Sequence, residues 1–436
     1  MRQFISANLI MVLLLCGGHF ASTKLADRQA LNAAHGLALV GAKIYPSPTD
    51  DAIIDGVVLI SDGKIIAVGQ REKIRIPPDF ETLDCTGLTL TAGFWNCHVH
   101  FAENKWQNAA TIPAAELTQQ LRDMLTRYGF TSVFDTGSVF ENTKRIRERI
   151  ESGEILGPRI LSTGEIFFPK GAPPPAMLIV VFGMMPGAVS ELDDAPDQAA
   201  RLVDQKLAAG VDAIKIYAAT WGYHLDNAGR PVNQPVTMSA EVVRAVASET
   251  HKHGKLLLAH PSNSEGLNAA VDGGADIILH TAPASGKWDG AFVAKMKQKG
   301  ISLVPTLKLW RYEGRHARSS QVAPTVEMAV SELRAYSQAG GTVLFGTDVG
   351  YMDDYDPTDE FILMSHAGLT FRQIHASLTT APAERFGASA RVGKIAPGMD
   401  ADITLLSDDP ATDVRAFSRV RFSIRRGKII YRESVH

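Results

Sequence analysis

Eight short β-branched segments alternate with longer amphipathic segments through the middle of the chain, and this repeat limits the possible folds more than any other feature. The short segments, which we predict to be strands, lie near residues 94–101, 131–135, 159–163, 212–217, 256–260, 276–280, 301–305 and 342–348. The amphipathic segments are predicted helices near residues 114–128, 142–152, 197–209, 239–253, 265–272, 290–299, 326–339 and 359–366. Eight strand–helix pairs predict an α/β fold built as a (β/α)8 TIM barrel.

An open, doubly wound sheet is the alternative arrangement for alternating strands and helices. Such sheets often bind dinucleotides through a G-x-G-x-x-G loop that directly follows a strand. No such motif follows any of the predicted strands. A dinucleotide site therefore has no support, and the barrel is the preferred interpretation.

Both ends of the chain have a different pattern, in which short strands are separated by turn signals. The Asp62-Gly63 pair between two such strands is typical of a hairpin. We therefore predict a small β-sandwich domain formed by both chain ends, from residues 37–90 and 391–436. The barrel, at residues 91–390, would interrupt it.

The first eighteen residues have the pattern of a secretory signal peptide. Arg2 supplies a positive start, and residues 7–18 follow as an apolar run. This run is shorter than the roughly 20 residues that a membrane-spanning helix needs, so no membrane span is predicted. We predict that residues 1–18 direct export, to the periplasm or the medium. An apolar helix buried in the fold is the alternative.

The charge balance bears on the class of partner. The chain has 44 Lys and Arg residues against 47 Asp and Glu residues, a net charge of −3. Without a basic excess, binding to nucleic acid or to an anionic membrane is not expected, and a small-molecule substrate is the predicted partner. A homo-oligomer stays open, because the apolar run at residues 177–182 could be a lid or a contact with another subunit.

Three cysteines are too few for a disulfide scaffold. Loss of residues 1–18 would leave Cys85 and Cys97, which could pair in an oxidising compartment. Because Cys97 lies in a predicted strand beside candidate metal ligands, we predict free, buried thiols instead.

Polar side chains stand on five predicted strands, mostly at the carboxyl ends, where barrel enzymes place their catalytic groups. The first strand ends with His98 and His100, which point to the same side because side chains alternate along a strand. Two imidazoles on one face suit a divalent metal such as zinc. The other strands carry Lys215, His260, His280 and Asp348.

Each of these residues also has a purely structural interpretation. A single histidine at a strand end is usually a satisfied core residue, Lys215 could extend to solvent, and Asp348 could cap the following turn. Six such residues on five strands together favour a functional site. Histidines without a partner pattern are predicted to be structural or surface residues: His251, His253, His316, His366 and His375.

Several motifs match a known family. They are residues 91–100 (TAGFWNCHVH), 214–216 (IKI), His260, His280, 346–348 (GTD) and 392–402 (VGKIAPGMDAD). On these motifs the sequence resembles the amidohydrolase superfamily from about residue 37 to 433. Within it, the sequence is most similar to the imidazolonepropionase-like group that includes prolidase-like metallopeptidases. One departure is Asn96, where the family commonly has Asp, and we expect this position to support the metal ligands.

The resemblance implies a binuclear site with two divalent ions, preferably zinc. His98 and His100 would bind the more buried ion, and His260 and His280 the second. Lys215, carboxylated by CO2, would bridge both ions, which converts a costly buried ammonium into an anion. Asp348 would bind the first ion and contact the bridging hydroxide. The alternative is a single ion held by the same residues, without His280 and with Lys215 as an ordinary amine.

The implied activity is metal-dependent hydrolysis of an amide or peptide C–N bond in a small substrate, such as a dipeptide or an N-acyl amino acid. Asp348 would act as general base and then as general acid. Deamination is disfavoured, because the nearest glutamate after His260 is Glu265, beyond Pro261. A lactam, lactone or ester hydrolase with the same site and a non-catalytic binding protein on the same frame are the alternatives.

Loops after the predicted strands contain candidate substrate-binding residues, which are Tyr217, Tyr223, His224, Lys308 and Arg311. The aromatic residues would favour an apolar or aromatic part of the substrate, or would pack a lid. The cations Lys308 and Arg311 could hold a substrate carboxylate. Ordinary solvated loop charges are the alternative for both cations.

Overall fold

The computed structural model describes residues 36–172, 189–192, 195–221, 224–225, 231–232, 234–316 and 318–434. The predicted signal peptide at residues 1–18, the apolar run at 177–182 and Tyr223 lie outside the described residues. Within the described ranges, no helix combines the length and the apolar character that a membrane span needs.

The strands are numbered along the chain. The first five are β1 (Gly36–Ile44), β2 (Ile53–Ser61), β3 (Lys64–Gln70), β4 (Phe80–Asp84) and β5 (Thr89–Ala92). The next are β6 (Phe94–Val99), β7 (Phe130–Asp135), β8 (Arg159–Ser162), β9 (Ile166–Pro169), β10 (Val189–Leu192) and β11 (Ile214–Tyr217). Short strands follow at β12 (Ala219–Trp221), β13 (His224–Leu225), β14 (Pro231–Val232) and β15 (Pro235–Thr237). The last are β16 (Leu257–His260), β17 (Ile277–Leu279), β18 (Ser302–Val304), β19 (Thr342–Val343), β20 (Ile403–Leu406), β21 (Val420–Arg425) and β22 (Lys428–Arg432).

The helices lie between these strands. They are α1 (Ala114–Met124), α2 (Phe140–Glu151), α3 (Pro196–Ala208), α4 (Ala240–Lys252), α5 (Ser264–Gly273), α6 (Gly290–Gln298), α7 (Leu307–His316), α8 (Val322–Gln338), α9 (Thr358–His366), α10 (Phe371–Leu378) and α11 (Thr380–Arg385). Helix α7 differs from the sequence analysis, which placed Lys308 and Arg311 in a loop.

One eight-stranded sheet contains strands from both ends of the chain. Its order is β22-β21-β20-β5-β1-β2-β3, with β4 pairing with β1. The two ends meet where β20 runs antiparallel to β5, with Ile403 opposite Ala92. Residues such as Leu39, Ile60 and Ile424 pack together on one face of this sheet. The two ends of the chain therefore join in one β structure, while the predicted sandwich and its domain limits stay predictions.

Parallel strands form the centre of the molecule. One sheet has the order β10-β9-β11-β16-β17-β18-β19, and a second has the order β6-β7-β8. Beyond β19 the chain still runs beside β6, because the Cys97 amide donates to the Phe345 carbonyl (2.8 Å) and the Asp348 amide to the His98 carbonyl (2.8 Å). The centre of the molecule is therefore a mixed α/β arrangement of parallel strands and helices.

The helices pack apolar faces against these strands. Helix α4 begins after Ser239, whose side chain accepts a hydrogen bond from the Val242 amide, as N-cap residues do. Its buried residues Val242, Val243, Val246 and Ala247 recur at helical spacing. Burial of each such valine contributes about 1.5–3 kcal/mol, so the apolar face rather than intrinsic helix propensity holds the helix in place.

The two described cysteines are free and buried, as predicted. Cys85 belongs to the core of the terminal sheet, whereas Cys97 belongs to the interior of the parallel strands. Burial raises the pKa of the Cys85 thiol to about 12 and that of Cys97 well above its usual value. Both thiols are therefore protonated and unreactive at neutral pH.

Candidate metal centre

His98 and His100 lie together at the end of β6, as the strand periodicity predicts. Their Nε2 atoms are 3.3 Å apart, and their ring centroids are 5.2 Å apart. His98 is fully buried and His100 nearly so. The chain approaches closely here, since a Cβ on Gly350 would lie 1.9 Å from the His100 carbonyl oxygen. Glycine is therefore required at position 350, where φ is also positive.

Asp348 completes a three-residue group with these histidines. Its Oδ1 atom is 3.2 Å from the Nε2 atom of His98 and 3.0 Å from that of His100. One ligand atom from each residue lies within 4.8 Å of the others. Asp348 has a φ of 66°, in the left-handed region that non-glycine residues rarely adopt, and such backbone strain is common at functional sites.

His260 and His280 extend the same cluster. The His280 ring lies 4.6 Å from the His98 ring and 4.4 Å from the His260 ring, measured between centroids. Tyr217 stacks on His260 at 4.0 Å, which fixes the orientation of that imidazole. Like Asp348, His280 has a positive φ, here 71°.

Lys215 is almost fully buried, and its charge acts on His98, His260 and His280. Burial lowers its pKa to about 7, although the charges of Asp348 and Asp135 oppose the shift. Burial also holds the pKa values of His98, His260 and His280 well below the usual value, and the charge of Lys215 adds to that effect. These three imidazoles are therefore neutral at pH 7 and present lone pairs.

Hydrogen bonds select the tautomer of two histidines. His100 Nδ1 lies 2.7 Å from the Gly137 carbonyl, which can only accept, so Nδ1 carries the proton. His280 Nδ1 lies 2.6 Å from the Thr306 hydroxyl, which itself donates to the Pro305 carbonyl. In the neutral form of both residues the Nε2 atom has the lone pair, as is usual for histidines that bind metals through that atom.

The unpartnered atoms of the cluster fit a metal ion. Among the described residues, no group forms a hydrogen bond to the buried Nδ1 atoms of His98 and His260 or to Oδ1 of Asp348. The close contacts of Oδ1 with two imidazoles lack the alignment of hydrogen bonds. A buried polar atom without a partner is costly, and a cation held between Oδ1 of Asp348 and the Nε2 atoms of His98 and His100 would satisfy the carboxylate oxygen. Imidazole nitrogens with a carboxylate oxygen are a donor set that zinc prefers.

The ligand cluster lines a cavity of about 450 Å³. Its lining residues outside the cluster are mostly apolar or aromatic, and they include Ile166, Tyr217, Pro235, Leu309, Trp310 and Tyr351. Tyr217, a predicted substrate residue, is therefore in the cavity wall. His224 lies in β13, and its side chain is outside the described part of the chain.

The predicted substrate cations do not line this cavity. Lys308 is buried, and its Nζ atom donates to the carbonyls of Asp354 (2.7 Å) and Asp356 (2.6 Å). Arg311 forms an ion pair with Asp359 at 2.7 Å. Both side chains are held by acidic residues or carbonyls on the far side of α7, so this geometry does not support a role for them in binding a substrate carboxylate.

Comparison with known proteins decides the family. The model of the Amidohydrolase family matches residues 89–430. The chain belongs to the amidohydrolase family. It is 24% identical to an ochratoxinase of Aspergillus niger over 404 residues, which cover 85% of this chain and 81% of that relative.

Solved structures agree with this family. A protein described as a prolidase from Bifidobacterium longum is 25% identical, with a TM-score of 0.74 over 92% of this chain and 95% of that one. An Xaa-Pro dipeptidase with bound methionine is 22% identical, with a TM-score of 0.75 over 91% of this chain and 100% of that one. This amidohydrolase is therefore an enzyme, a hydrolase that acts on carbon–nitrogen bonds, as the resemblance implied.

Asn96 supports the candidate ligand cluster of the amidohydrolase. The residue is fully buried, and its Nδ2 donates to the Thr347 hydroxyl at 2.7 Å. Its Oδ1 accepts from the amides of His98 and Thr347, both at 3.2 Å. Asn96 thus links Thr347, the residue before Asp348, to the backbone of His98. This position is consistent with the supporting role expected from the sequence.

Some residues of the site were missed by the sequence analysis. Asp135, at the end of β7, accepts hydrogen bonds from the Gly137 amide and the Ser138 hydroxyl, and Gly137 in turn holds His100. Its place at the carboxyl end of a predicted strand was a usable signal. Glu313 also lines the cavity and was missed. Its signal was weaker, because the helical spacing of α7 was not recognised in the sequence.

Proposed function

We propose that this amidohydrolase is a metal-dependent enzyme that cleaves an amide C–N bond in a small substrate, such as a dipeptide or an N-acyl amino acid. The observation that carries the proposal is the convergence of His98, His100 and Asp348 in the lining of a cavity of about 450 Å³. That volume suits a small molecule. The similarity to an Xaa-Pro dipeptidase supports a peptide-like substrate.

Two groups of residues would hold two divalent ions, preferably zinc. His98, His100 and Asp348 would bind one ion, and His260 and His280 the other. The buried Lys215 would serve as a carbamate between them. In its formation the Nζ atom bonds to the carbon of CO2 and loses a proton, so a buried amine becomes an anion. A single ion without the carbamate is the alternative that the experiment below distinguishes.

Asp348 is the residue placed to move the proton. A bound divalent ion would act as a Lewis acid that polarises both the attacking water and the substrate carbonyl. Asp348 Oδ1, which has no hydrogen-bond partner among the described residues, would accept the proton of the attacking water. As the water oxygen bonds to the carbonyl carbon and the C–N bond breaks, Asp348 would pass this proton to the leaving nitrogen.

The parallel strands would form one closed (β/α)8 barrel. Hydrogen bonds between β6 and residues 345–349 support closure on one side. The Asp212 amide, which donates to the Ser162 carbonyl at 2.7 Å, supports the join between β8 and β11 on the other. A closed barrel explains why the ligands meet, because its catalytic groups gather at the carboxyl ends of the strands.

The activity is tested with zinc-loaded protein on panels of dipeptides, N-acyl amino acids and lactones, beside metal analysis. We expect two ions per chain and hydrolysis of amides. Hydrolysis of lactones alone would contradict the bond that we propose, and protein that binds no metal would contradict the site. A crystal structure with anomalous data separates the metal models, since one ion and a bare Lys215 amine would overturn the binuclear form.

Export stays a proposal as well. It rests on Arg2 and the apolar run at residues 7–18. Expression of the full chain in a bacterial host, followed by fractionation and N-terminal sequencing, tests it. We expect processed protein in the periplasm or the medium, and full-length protein confined to the cytoplasm would contradict it.

A further inference from the structure

The described wall of the cavity contains an acidic side chain outside the predicted metal ligands but no Lys or Arg side chain. Apart from the predicted metal ligands, the described lining residues include a single ionisable acid, Glu313, and neither Lys nor Arg. A wall with an acid and neither Lys nor Arg favours a positive group on the substrate part that lies against it. The position of Glu313 therefore bears on substrate choice.

Helix α7 presents Glu313 to the cavity by its periodicity. Leu309 and Trp310 precede Glu313 by four and three residues, so the three side chains share one face of the helix. On the other face, Arg311 pairs with Asp359, and the Tyr312 hydroxyl donates to Asp353 at 3.0 Å. The helix thus separates a paired, charged outer face from a cavity face with one carboxylate.

Among the described residues, Glu313 has a hydrogen-bond partner but no counter-ion. The Tyr351 hydroxyl donates to its Oε1 atom. Burial raises the pKa of Tyr351, so this phenol stays protonated and adds no charge of its own. In the described parts of the chain, no Lys, Arg or His comes within ion-pair distance of the Glu313 carboxylate. By contrast, Asp354 and Asp359 on the neighbouring loop and helix are both paired with cations.

Two aromatic residues share the cavity wall with this carboxylate. Trp310 and Tyr351 line the cavity with Glu313, and Trp310 is fixed by a hydrogen bond from its Nε1 to the Thr281 hydroxyl at 2.8 Å. Aromatic faces attract cations, and a nearby carboxylate adds direct Coulomb attraction. Such a combination recognises an ammonium or guanidinium group better than a neutral one.

We propose that Glu313 is a specificity residue that binds a positively charged group of the substrate while the scissile bond lies at His98, His100 and Asp348. The inference rests on the proposed amide hydrolase function and names the substrate class within it. The positive group is an ammonium or guanidinium, supplied either by the free amino end of a peptide or by a basic side chain.

The first experiment measures binding without turnover. Calorimetry on the purified full-length protein compares n-butylguanidinium, which is always charged and has no lone pair for a metal, with neutral 1-pentanol. We expect the cation to bind more tightly, and Glu313→Gln to weaken its binding by about ten-fold or more, as loss of a charged hydrogen bond does. Equal binding of both probes to the wild-type protein would overturn the inference.

The second experiment compares substrates and identifies the source of the charge. A free dipeptide against its N-acetyl form tests the amino end, and N-acetyl-Leu-Lys against N-acetyl-Leu-norleucine tests a basic side chain. We expect Glu313→Gln to lower kcat/KM for the charged member of one pair at least about ten-fold more than for its neutral partner. An equal loss for charged and neutral substrates would show that Glu313 is not a specificity residue.

Two further variants keep the result interpretable. Glu313→Asp retains the charge and should retain the preference, while Glu327→Gln removes an exposed charge on α8 and should leave the preference unchanged. Glu313→Gln is compared with wild type only if its melting temperature shows a folded protein; otherwise Glu313→Asp and the probe binding decide. Wild-type protein that cleaves no amide at all would overturn the proposed function, yet the probe binding would still test Glu313.

Discussion

Two buried aspartates lie on either side of β6, and their surroundings differ. Asp135 ends β7 and accepts four hydrogen bonds, from the Gly137 amide and the hydroxyls of Ser138, Thr143 and Ser162. Asp348, on the other side of β6, has an Oδ1 atom without any such bond among the described residues. The fold satisfies one carboxylate completely and leaves the other open toward two histidines. Complete hydrogen bonding thus marks a supporting residue, and an open buried oxygen marks a candidate ligand.

Asp348→Asn should lower activity strongly and change stability little. We expect kcat/KM to fall by about 10³-fold or more, because the variant cannot transfer the proton. The unfolding free energy should change by only about 1 kcal/mol, since Oδ1 has no hydrogen bond to lose and Asn tolerates the left-handed backbone. Enzyme kinetics and chemical denaturation measure the two effects.

Asp353→Asn is the matched control for this variant, because Asp353 is exposed and lies outside the cavity wall. It should leave kcat/KM near the wild-type value. A fall in activity that merely follows a fall in stability would assign Asp348 to the same supporting class as Asp135.

Asp135→Asn should instead lower the stability of the fold and, through His100, the affinity for metal. An amide offers one acceptor oxygen in place of two. Either the hydroxyls of Thr143 and Ser162 or the Gly137 amide and the Ser138 hydroxyl therefore lose their partner. We expect a loss of about 2–3 kcal/mol in unfolding free energy, and metal affinity lower by about ten-fold to a hundred-fold as His100 loosens. Thr143→Ala, which removes a single bond, should cost about 1 kcal/mol. Asp135→Asn of wild-type stability would refute the distinction.

Much of the candidate site could be predicted because it depends on short-range rules. The spacing of His98 and His100 places them on one face of a strand, and the polar ends of parallel strands gather at one edge. The partners of Asp135 could not be predicted, because Ser162 comes from another strand. Residue type alone could not separate Asp135 from Asp348.

The substrate cations show a different limit. Lys308 and Arg311 were predicted near the cavity because they follow the seventh strand. Their direction depends on α7, whose helical spacing was missed, and on Asp359 and the loop at residues 353–356. Those partners are brought near only by the tertiary fold. The positive charge of each residue therefore predicted that it makes a polar contact. It predicted neither the partner residue nor the side of α7 on which the contact lies.

Glu332 and Glu360 are two further buried carboxyl groups. In each of them one oxygen accepts a hydrogen bond and the other has no partner among the described residues. Glu332 accepts from the Ala282 amide and Glu360 from the Lys308 amide, both at 2.7 Å, while their Oε1 atoms have no hydrogen-bond partner in the described residues. Burial raises the pKa of Glu332 to about 8 and that of Glu360 to about 7. Here the open oxygen is explained by a proton rather than by a metal.

These raised pKa values predict a pH dependence with a definite sign. Between the unfolded pKa near 4.5 and the folded values, the native state binds more protons, so the unfolding free energy falls as pH rises toward 8. Glu332→Gln and Glu360→Gln should flatten this decline and leave the metal content unchanged. Denaturation series from pH 5 to 8.5 measure the slope, and a slope identical to that of wild type would show that these carboxyls are ionised.

Asn96→Asp is expected to have the smallest effect, because the variant keeps the oxygen that accepts from the amides of His98 and Thr347. Only the donor to the Thr347 hydroxyl is lost, and that hydroxyl can rotate to donate to the new carboxylate. We expect a change of about 1 kcal/mol in unfolding free energy, unfavourable without metal because a charge is buried, and smaller with metal bound. Asn96→Ala removes all three bonds and should destabilise the protein more. If Asn96→Ala proved as stable as wild type, Asn96 would not be the link between β6 and Thr347, the residue before Asp348.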